Sequence, residues 1–148
     1  MNETGLQIYE LCHRLFPICR SITGDGVRQT LAILGEYLPE LKIHEVPSGE
    51  KCFDWEVPNE WNIRDAYILA PNGEKIIDFQ KSNLHVVGYS IPVNRKISLE
   101  ELEQHLYSIP EQPEAVPYIT SYYERRWGFC LTETQRKNLA PGEYTVLI

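Results

Sequence analysis

The chain has 148 residues, of which 43% are apolar and 24% are charged, a composition typical of a globular protein that excludes a disordered chain. The formal net charge is -7 and no basic run exceeds two residues, which argues against nucleic acid as a partner. No stretch reaches the roughly 18 to 20 consecutive apolar residues of a membrane span, and the N-terminus lacks the features of a secretory signal. The cytoplasm is therefore the expected compartment.

Residues 1–39 are predicted to form two helices. The run TGLQ at residues 4–7 has the form of a capping box, and apolar residues then follow helical spacing as far as Pro17. A polar, glycine-bearing turn comes next, and an apolar stripe over residues 27–38 predicts a second helix that Pro39 ends. Two short helices cannot enclose a core, so this helical hairpin is expected to dock weakly on the rest of the chain.

From residue 41 onward the apolar residues alternate with period two, which is typical of strands. The dipeptide Asn72-Gly73 between two of these runs is a strong hairpin signal. Capping-box patterns at Ser98 and Thr132 predict two short helices, the first through about Tyr107. The predicted strands are, in chain order, LKIHEV (41–46), NIRDAYIL (62–69), EKIIDFQ (74–80), NLHVVGYSIPV (83–93), YITSYY (118–123), WGFCL (127–131) and EYTVLI (143–148).

These elements predict an α+β fold with two parts. An N-terminal helical hairpin occupies residues 1–39, and a small, mostly β module with short helices occupies residues 40–148. The sequence ends on the apolar run Val146-Leu147-Ile148, whereas complete domains usually end in frayed polar residues. This ending predicts either a fragment or a strand that a partner must cover.

No catalytic residue and no metal ligand is assigned from the residue types. The cysteines are expected to be buried free thiols, because their spacings resemble no structural zinc site. The histidines are expected to be structural, because none lies four positions from another. The chain alone is therefore predicted to bind no stoichiometric zinc and to be inactive. The residues concerned are Cys12, Cys19, Cys52, Cys130, His13, His44, His85 and His105.

Two further clusters have a functional and a structural interpretation. The run TGDG at residues 23–26, just before a predicted helix, could present backbone N–H groups to an anion. A turn followed by a helix N-cap is the preferred interpretation of this run. The acidic residues Asp54, Glu56, Glu60 and Asp65 lack the spacing of metal ligands and are interpreted as solvated or hydrogen-bonded.

Four longer stretches resemble a known family. In this order they are similar to the N-terminal part of a bacterial family of zinc aminopeptidase-like proteins, some of them labelled polysaccharide-biosynthesis proteins with an aminopeptidase-like domain. The resemblance spans essentially the whole chain, and the pattern FDW-x-VP-x-EWNI is its most specific part. The four stretches are CRSITGDGVRQTL (19–31), HEVPSGEKCFDWEVPNEWNIRDAYI (44–68), SNLHVVGYSIPV (82–93) and PYITSYYERRWGFCL (117–131).

The resemblance implies a place for each part of the chain. Helices like those of residues 1–39 begin an α/β zinc exopeptidase domain in that family, and a small β domain like residues 40–148 is inserted early in it. A catalytic core with a histidine- and cysteine-rich metal segment follows in the family, and a winged-helix domain closes it. None of the family's zinc ligands matches a residue here, so zinc is implied only for the longer members. The expected partner is the missing catalytic domain, or a second copy of this chain.

The function predicted from this resemblance is that of an accessory portion, a lid or a substrate-shaping element, of a metallo-aminopeptidase-like hydrolase. The alternative is a stand-alone module that binds carbohydrate or peptide. Either function would suit a small peptide or a sugar-linked substrate. The alternative rests on amphipathic rings that could stack on a ligand, with core packing as the competing explanation. These rings belong to Trp55, Trp61, Tyr122, Tyr123 and Trp127.

The stretch PYITSYYERRWGFCL contains the candidate substrate-facing residues. If it forms a hairpin, Tyr122 and Tyr123 lie on opposite faces of one strand, so one of them can remain available to a ligand. Arg125 falls in the turn, where a long cation can reach a carboxylate or a phosphate. Trp127 begins the returning strand, near the turn. A hairpin that only packs its aromatic rings is the alternative interpretation.

Overall fold

A computed structural model describes residues 3–148 as two compact units, the first ending at Asn62 and the second running from Ile63 to Ile148. Helices and antiparallel strands both occur, which confirms the mixed α+β class. None of the described helices is long and apolar enough to cross a membrane. The helices and strands are α1 (Glu3–Leu15), α2 (Asp25–Gly35), β1 (Lys51–Cys52), β2 (Trp55–Glu56), β3 (Tyr67–Leu69), β4 (Lys75–Asp78), β5 (Asn94–Ser98), α3 (Leu99–Glu103), β6 (Leu106–Tyr107), β7 (Phe129–Cys130), α4 (Glu133–Lys137) and β8 (Glu143–Leu147).

The two long helices of the first unit form where the sequence predicts them, with different ends. Thr4 lies inside α1, so the predicted capping box at residues 4–7 is wrong. The end of α1 at Leu15, two residues before Pro17, agrees with the expected stop. Near that end, the Arg14 guanidinium donates to both carboxylate oxygens of Glu36, at 2.8 and 2.9 Å. This exposed ion pair ties the C-terminal ends of α1 and α2 together.

The predicted strand LKIHEV does not form. Residues 41–47 have no regular secondary structure, because no neighbouring strand within the first unit supplies a hydrogen-bonding partner. The only strand pair described in this unit is the short hairpin of β1 and β2, in which Cys52 lies opposite Trp55. Phe53 stands at the tip of the hairpin with a φ of 58° and is fully exposed. A phenylalanine seldom adopts this left-handed conformation, so the hairpin tip is strained.

The second unit is built on a four-stranded antiparallel sheet in the order β4-β3-β8-β5. The hairpin of β3 and β4 forms around Asn72-Gly73 as predicted. The last strand, β8, lies inside the sheet and pairs with β3 on one side and β5 on the other. The prediction that this strand requires an outside partner is therefore wrong. Its residues Tyr144 and Val146 are buried on one face, with Thr145 half-buried between them.

Outside the four-stranded sheet, the predicted hairpin over residues 118–131 does not form. Strand β7 pairs in parallel with β6 instead of with residues 118–123. Thr120 forms a single bridge to Gly88, and Phe129 forms one to Val86. The pairing of β7 with β6 brings the backbone at Gly128 close to that of His105. A Cβ at position 128 would lie 2.9 Å from the carbonyl oxygen of His105, so glycine allows this close approach. The predicted strand over residues 83–93 begins instead as a 3₁₀ helix, Asn83–His85.

Both short helices of the second unit are capped as the sequence predicts. The Ser98 hydroxyl accepts a hydrogen bond from the backbone N–H of Glu101 at the start of α3. Thr132 and Gln135 form a reciprocal capping box at the start of α4. Helix α3 is shorter than expected, because Leu106 and Tyr107 leave the helix to pair with β7.

Apolar side chains are distributed unequally between the units. In the first unit Ile18 is the only large apolar side chain buried among the described residues. Cys12 and Cys52 are exposed and Cys19 is half-buried, so the expectation of four buried thiols holds only for Cys130. The exposed large apolar residues of the first unit are Leu6, Ile8, Tyr9, Phe16, Ile22, Tyr37, Leu38, Ile43, Val46, Phe53 and Trp55.

Candidate functional site

The first unit contains an open groove of about 540 Å³ beside helix α2. One wall is formed by α2 and the turn before it, with Val27 and Leu31 facing the space. The opposite wall is formed by residues 43–48, which include the exposed apolar side chains of Ile43 and Val46. The groove is therefore lined by apolar side chains together with polar and charged ones, among them Thr23, His44 and Glu45.

A charged cluster lies at the edge of the groove. The Arg28 guanidinium donates two hydrogen bonds of 2.7 Å to the carboxylate of Glu60 and lies 3.0 Å from Asp25. The hydrogen bonds from Arg28 and from the amide of Asn62 lower the pKa of Glu60 to about 2. Glu60 is thus paired, which agrees with the interpretation of the acidic residues as hydrogen-bonded. Of the two glutamates that line the groove, Glu60 is therefore paired with Arg28, whereas Glu45 is exposed.

The start of α2 is not an open anion site. The backbone N–H of Asp25 donates to the side-chain oxygen of Asn62 at 2.7 Å, and Gly24 stands before it with a φ of 107°. A Cβ at position 24 would collide with the carbonyl oxygen of Trp61. The turn-and-cap interpretation of residues 23–26 therefore describes this run, and only glycine fits at position 24.

In the second unit, the segment of residues 117–127 is held in place by its backbone. The N–H and the hydroxyl of Ser121 both donate to the carbonyl oxygen of Gly88, and the N–H of Gly88 donates to the carbonyl oxygen of Ile119. Tyr122 follows with a φ of 31°, and its ring lies 5.1 Å from the ring of Tyr89. Tyr89 has a φ of 65°, so two tyrosines in a rare conformation contact each other.

The candidate residues of this segment differ in exposure. Tyr122 has 39% of its surface exposed and Tyr123 has 58%, and Arg125 is also exposed. Trp127 is buried, stacked on the His105 ring at 3.6 Å between centroids. The first three residues are thus accessible to a ligand, whereas Trp127 packs in the interior.

Arg126 is the arginine that anchors the segment. Its guanidinium donates to the carbonyl oxygen of Thr120 at 3.3 Å and lies over the Tyr107 ring, 5.8 Å from the centroid. Its Nε lies 3.3 Å from a carboxylate oxygen of Glu124, without the geometry of a hydrogen bond. Arg126 therefore fixes the loop that carries Arg125.

Sequence reasoning missed three contributors to this region: Tyr89, His105 and Arg126. The sequence alone gives little indication that His105 contacts Trp127, because the two residues are far apart in sequence. Its Nδ1 is 3.2 Å from the carbonyl oxygen of Trp127, and that of His85 is 2.8 Å from the carbonyl oxygen of Cys130. These two histidines are structural, as expected.

The residues present do not fit a catalytic zinc ion. Within residues 3–148, no group of three or more His, Cys, Asp or Glu side chains is arranged to hold a metal. Burial raises the pKa of the Cys130 thiol to about 11, which keeps this cysteine protonated and unreactive at neutral pH.

The aromatic residues proposed for a stand-alone binding module are divided between the two units. Trp55 and Trp61 belong to the first unit, and the others belong to the second. Trp127 is buried, and Trp61 is half-buried. No observation within either unit assembles them into one stacking surface.

Residues 60–148 match the model of a protein family described as a domain of unknown function, DUF2172. The chain belongs to the DUF2172 family. The matched residues begin close to the boundary between the two units, so the family model covers the whole second unit and only the last residues of the first. The candidate residues Tyr122, Tyr123, Arg125 and Trp127 all lie inside the DUF2172 match.

Two comparisons extend beyond the DUF2172 region to 99% of the chain. A Clostridium acetobutylicum protein described as "Putative polysaccharide biosynthesis protein with aminopeptidase-like domain" is 52% identical over 147 residues. The crystal structure of a "putative peptidase" from the same organism is 53% identical, with a TM-score of 0.94. The resemblance to an aminopeptidase-like family is thereby confirmed. The chain spans 34% of the length of each of these proteins, about a third.

Proposed function

We propose that this chain is the accessory portion of an aminopeptidase-like hydrolase, in which it covers or shapes the catalytic site and supplies no zinc ligand. The observation that carries this proposal is the 52% identity over 99% of the chain to a longer protein described with an aminopeptidase-like domain. About two thirds of that protein has no counterpart here. The catalytic groups, and the zinc that the family resemblance implies, would belong to that remaining polypeptide.

The candidate substrate-facing surface is the loop of residues 121–126. Its exposed large side chains are Tyr122, Tyr123, Arg125 and Glu124, the last of which is paired with Arg126. An arginine binds a carboxylate or a phosphate through two parallel hydrogen bonds. The loop is preorganised at both ends, because the Ser121 hydroxyl donates to the carbonyl oxygen of Gly88 and the carbonyl oxygen of Arg126 accepts from the N–H of Ile91. Trp127 would support the loop from the interior. A small peptide or a sugar-linked substrate with a negative group is the ligand class that suits these residues.

Exposed apolar side chains of the first unit support the same proposal. Phe16 is 83% exposed and Phe53 fully exposed, although each large apolar side chain gains about 1.5 to 3 kcal/mol on burial. A catalytic domain packed on this unit would bury such residues. A surface of this kind is characteristic of an interaction site.

The proposal is tested in a hybrid protein in which this chain replaces the matched third of the clostridial relative. Arg125→Ala should lower kcat/KM on aminoacyl substrates roughly tenfold, because a charge-assisted contact to substrate is lost. Melting temperature and zinc content should stay near those of the parent hybrid, since Arg125 is exposed.

Lys81→Ala is the matched control, an exposed cation of the same unit outside the loop. It should leave kcat/KM unchanged. Trp127→Ala should reduce stability through loss of core packing, so its activity must be compared per folded molecule. Full activity of the Arg125→Ala hybrid would refute the substrate-facing role of the loop.

A further inference from the structure

The segment of residues 87–91 lies between the two ends of the candidate substrate-facing loop. On one side, the N–H of Gly88 donates to the carbonyl oxygen of Ile119, just before the loop, at 2.8 Å. On the other side, the N–H of Val87 donates to the carbonyl oxygen of Gly128, just after the loop, at 3.1 Å. This one segment therefore holds both ends of the loop, and its own conformation determines where the loop stands.

Tyr89, in the middle of this segment, occupies a turn position that favours glycine. The N–H of Ser90 donates to the carbonyl oxygen of Val87 at 3.1 Å and closes a turn, in which Tyr89 is the third residue with a φ of 65°. A positive φ at the third residue is the mark of a type II turn, where glycine or asparagine is the usual residue. Backbone stability alone would thus select against a tyrosine at this position.

Tyr122 has the same peculiarity on the loop itself. The N–H of Glu124 donates to the carbonyl oxygen of Ser121 at 2.8 Å, and Tyr122 is the second residue of this turn, with a φ of 31°. The rings of Tyr89 and Tyr122 contact each other, with 5.1 Å between centroids and 58° between their planes. Tyr89 is 8% exposed and Tyr122 is 39% exposed. The buried ring therefore supports the exposed one from below.

We propose that Tyr89 is a positioning residue, which holds the ring of Tyr122 in the orientation that contacts the substrate. This proposal deepens the proposed function, on which it rests, by assigning the aromatic contact of the loop to Tyr122 rather than to Tyr123. Two strained tyrosines persist only where the surrounding contacts hold them, and such strain clusters at ligand-binding sites. A ring that is already held by a neighbour has less rotamer freedom to lose on binding, which favours affinity.

Fluorine NMR of the chain tests the contact between the rings without catalysis. A fluorotyrosine at position 122 should give a resonance that shifts in Tyr89→Leu, because the ring current of the neighbouring aromatic ring is lost. In Tyr89→Phe, which keeps that ring, the resonance should stay near its parent position. The same label at position 123 is the control and should move far less in both variants.

Kinetics of the hybrid with the clostridial relative test the positioning role. Tyr122→Leu should raise KM on aminoacyl substrates roughly tenfold with kcat nearly unchanged, because a contact of equal strength in the ground and transition states is lost. Tyr89→Leu should raise KM roughly two- to tenfold, the range that the loss of one aromatic pair corresponds to. Tyr89→Phe should restore the parental KM. Tyr67→Leu, at a half-buried tyrosine outside the loop, is the matched control and should leave KM unchanged.

The double variant separates positioning from general stability. Tyr89→Leu combined with Tyr122→Leu should raise KM no further than Tyr122→Leu alone, because Tyr89 acts through the ring that is already absent. Constants are compared per folded molecule. If Tyr89→Leu does not fold, Tyr89→Gly takes its place, because glycine adopts a φ of 65° without strain.

Several outcomes would overturn the inference. They are an unmoved fluorine resonance at position 122, additive effects in the double variant, and a rise in KM in Tyr89→Phe equal to that in Tyr89→Leu. A loss of activity in Arg125→Ala without any change in KM in Tyr122→Leu or in Tyr89→Leu would defeat this inference alone. Full activity of both Arg125→Ala and Tyr122→Leu would instead show that the loop does not face the substrate, and the proposed function of the loop would fail with it.

Discussion

The two units of the chain differ in how far they bury their large apolar side chains. The second unit buries a continuous set around its sheet, including Phe129, Tyr144 and Val146, each at most 1% exposed. The first unit leaves Phe16, Tyr9 and most of its other large apolar residues in solvent.

The same chain therefore contains one unit with its own core and one unit without one among its described residues. A unit with a buried core has the main property of an independent domain. The first unit is held instead by exposed ion pairs such as Arg14–Glu36 and Arg28–Glu60. Each pair adds little stability, because solvent and salt screen the charges. The first unit should therefore open far more readily than the second.

The largest expected effect contrasts two phenylalanines. Phe129→Ala should cost about 3 to 5 kcal/mol of the free energy of unfolding, because the ring is fully buried. Phe16→Ala should change it by no more than about 0.5 kcal/mol, because the ring is 83% exposed. Chemical denaturation followed by far-UV circular dichroism, which reports the helices of the first unit as well as the second unit, measures both variants. Equal losses in the two variants would remove the distinction between the units.

A second, smaller effect concerns the turn before α2. Gly24→Ala should destabilise the first unit by about 1 to 3 kcal/mol, because alanine is strained at a φ of 107° and its Cβ would meet the Trp61 carbonyl. Gly35→Ala is the matched control within the same helix, where a Cβ meets open space. It should slightly stabilise α2. Far-UV circular dichroism during thermal melting measures both, and a neutral Gly24→Ala variant would show that this turn does not limit the unit.

The smallest expected effect is on how the stability of the first unit depends on pH. The folded pKa of Glu60 is about 2, below the ordinary value of about 4.3. A lowered carboxyl pKa stabilises the folded state above the ordinary value, and this contribution disappears as pH falls through about 2. Glu60→Gln should remove that part of the acid sensitivity, and Glu40→Gln should not. Hydrogen exchange at the start of α2 between about pH 5 and 2 measures it, and identical pH curves for both variants would contradict the pairing.

Local signals predicted the fold well where neighbours in sequence are also neighbours in space. Asn72-Gly73, Ser98 and Thr132 each act within a few residues, so their hairpin and caps were predictable. The parallel pairing of Leu106 with Phe129 was not, because period-two patterns define a strand without naming its partner. The misassigned hairpin over residues 118–131 has this cause.

The candidate site could be predicted only in part, because some of its contacts join residues that are distant in sequence. Tyr122, Tyr123 and Arg125 could be selected as amphipathic or charged residues of one loop, and whether they face a substrate stays a prediction. The burial of Trp127 could not be foreseen, because it depends on stacking with His105, which is distant in sequence. The anchoring role of Arg126 depends likewise on Tyr107.

The central position of β8 determines the order in which the second unit can be completed during synthesis. Tyr67 of β3 pairs with Leu147, and Asn94 of β5 pairs with the same residue from the other side. Until β8 has emerged from the ribosome, the β3–β4 hairpin and β5 each have an unpaired edge. Such edges invite association between nascent chains. Folding of this unit must therefore wait for its last strand, and a chaperone that shields those edges would act in that interval.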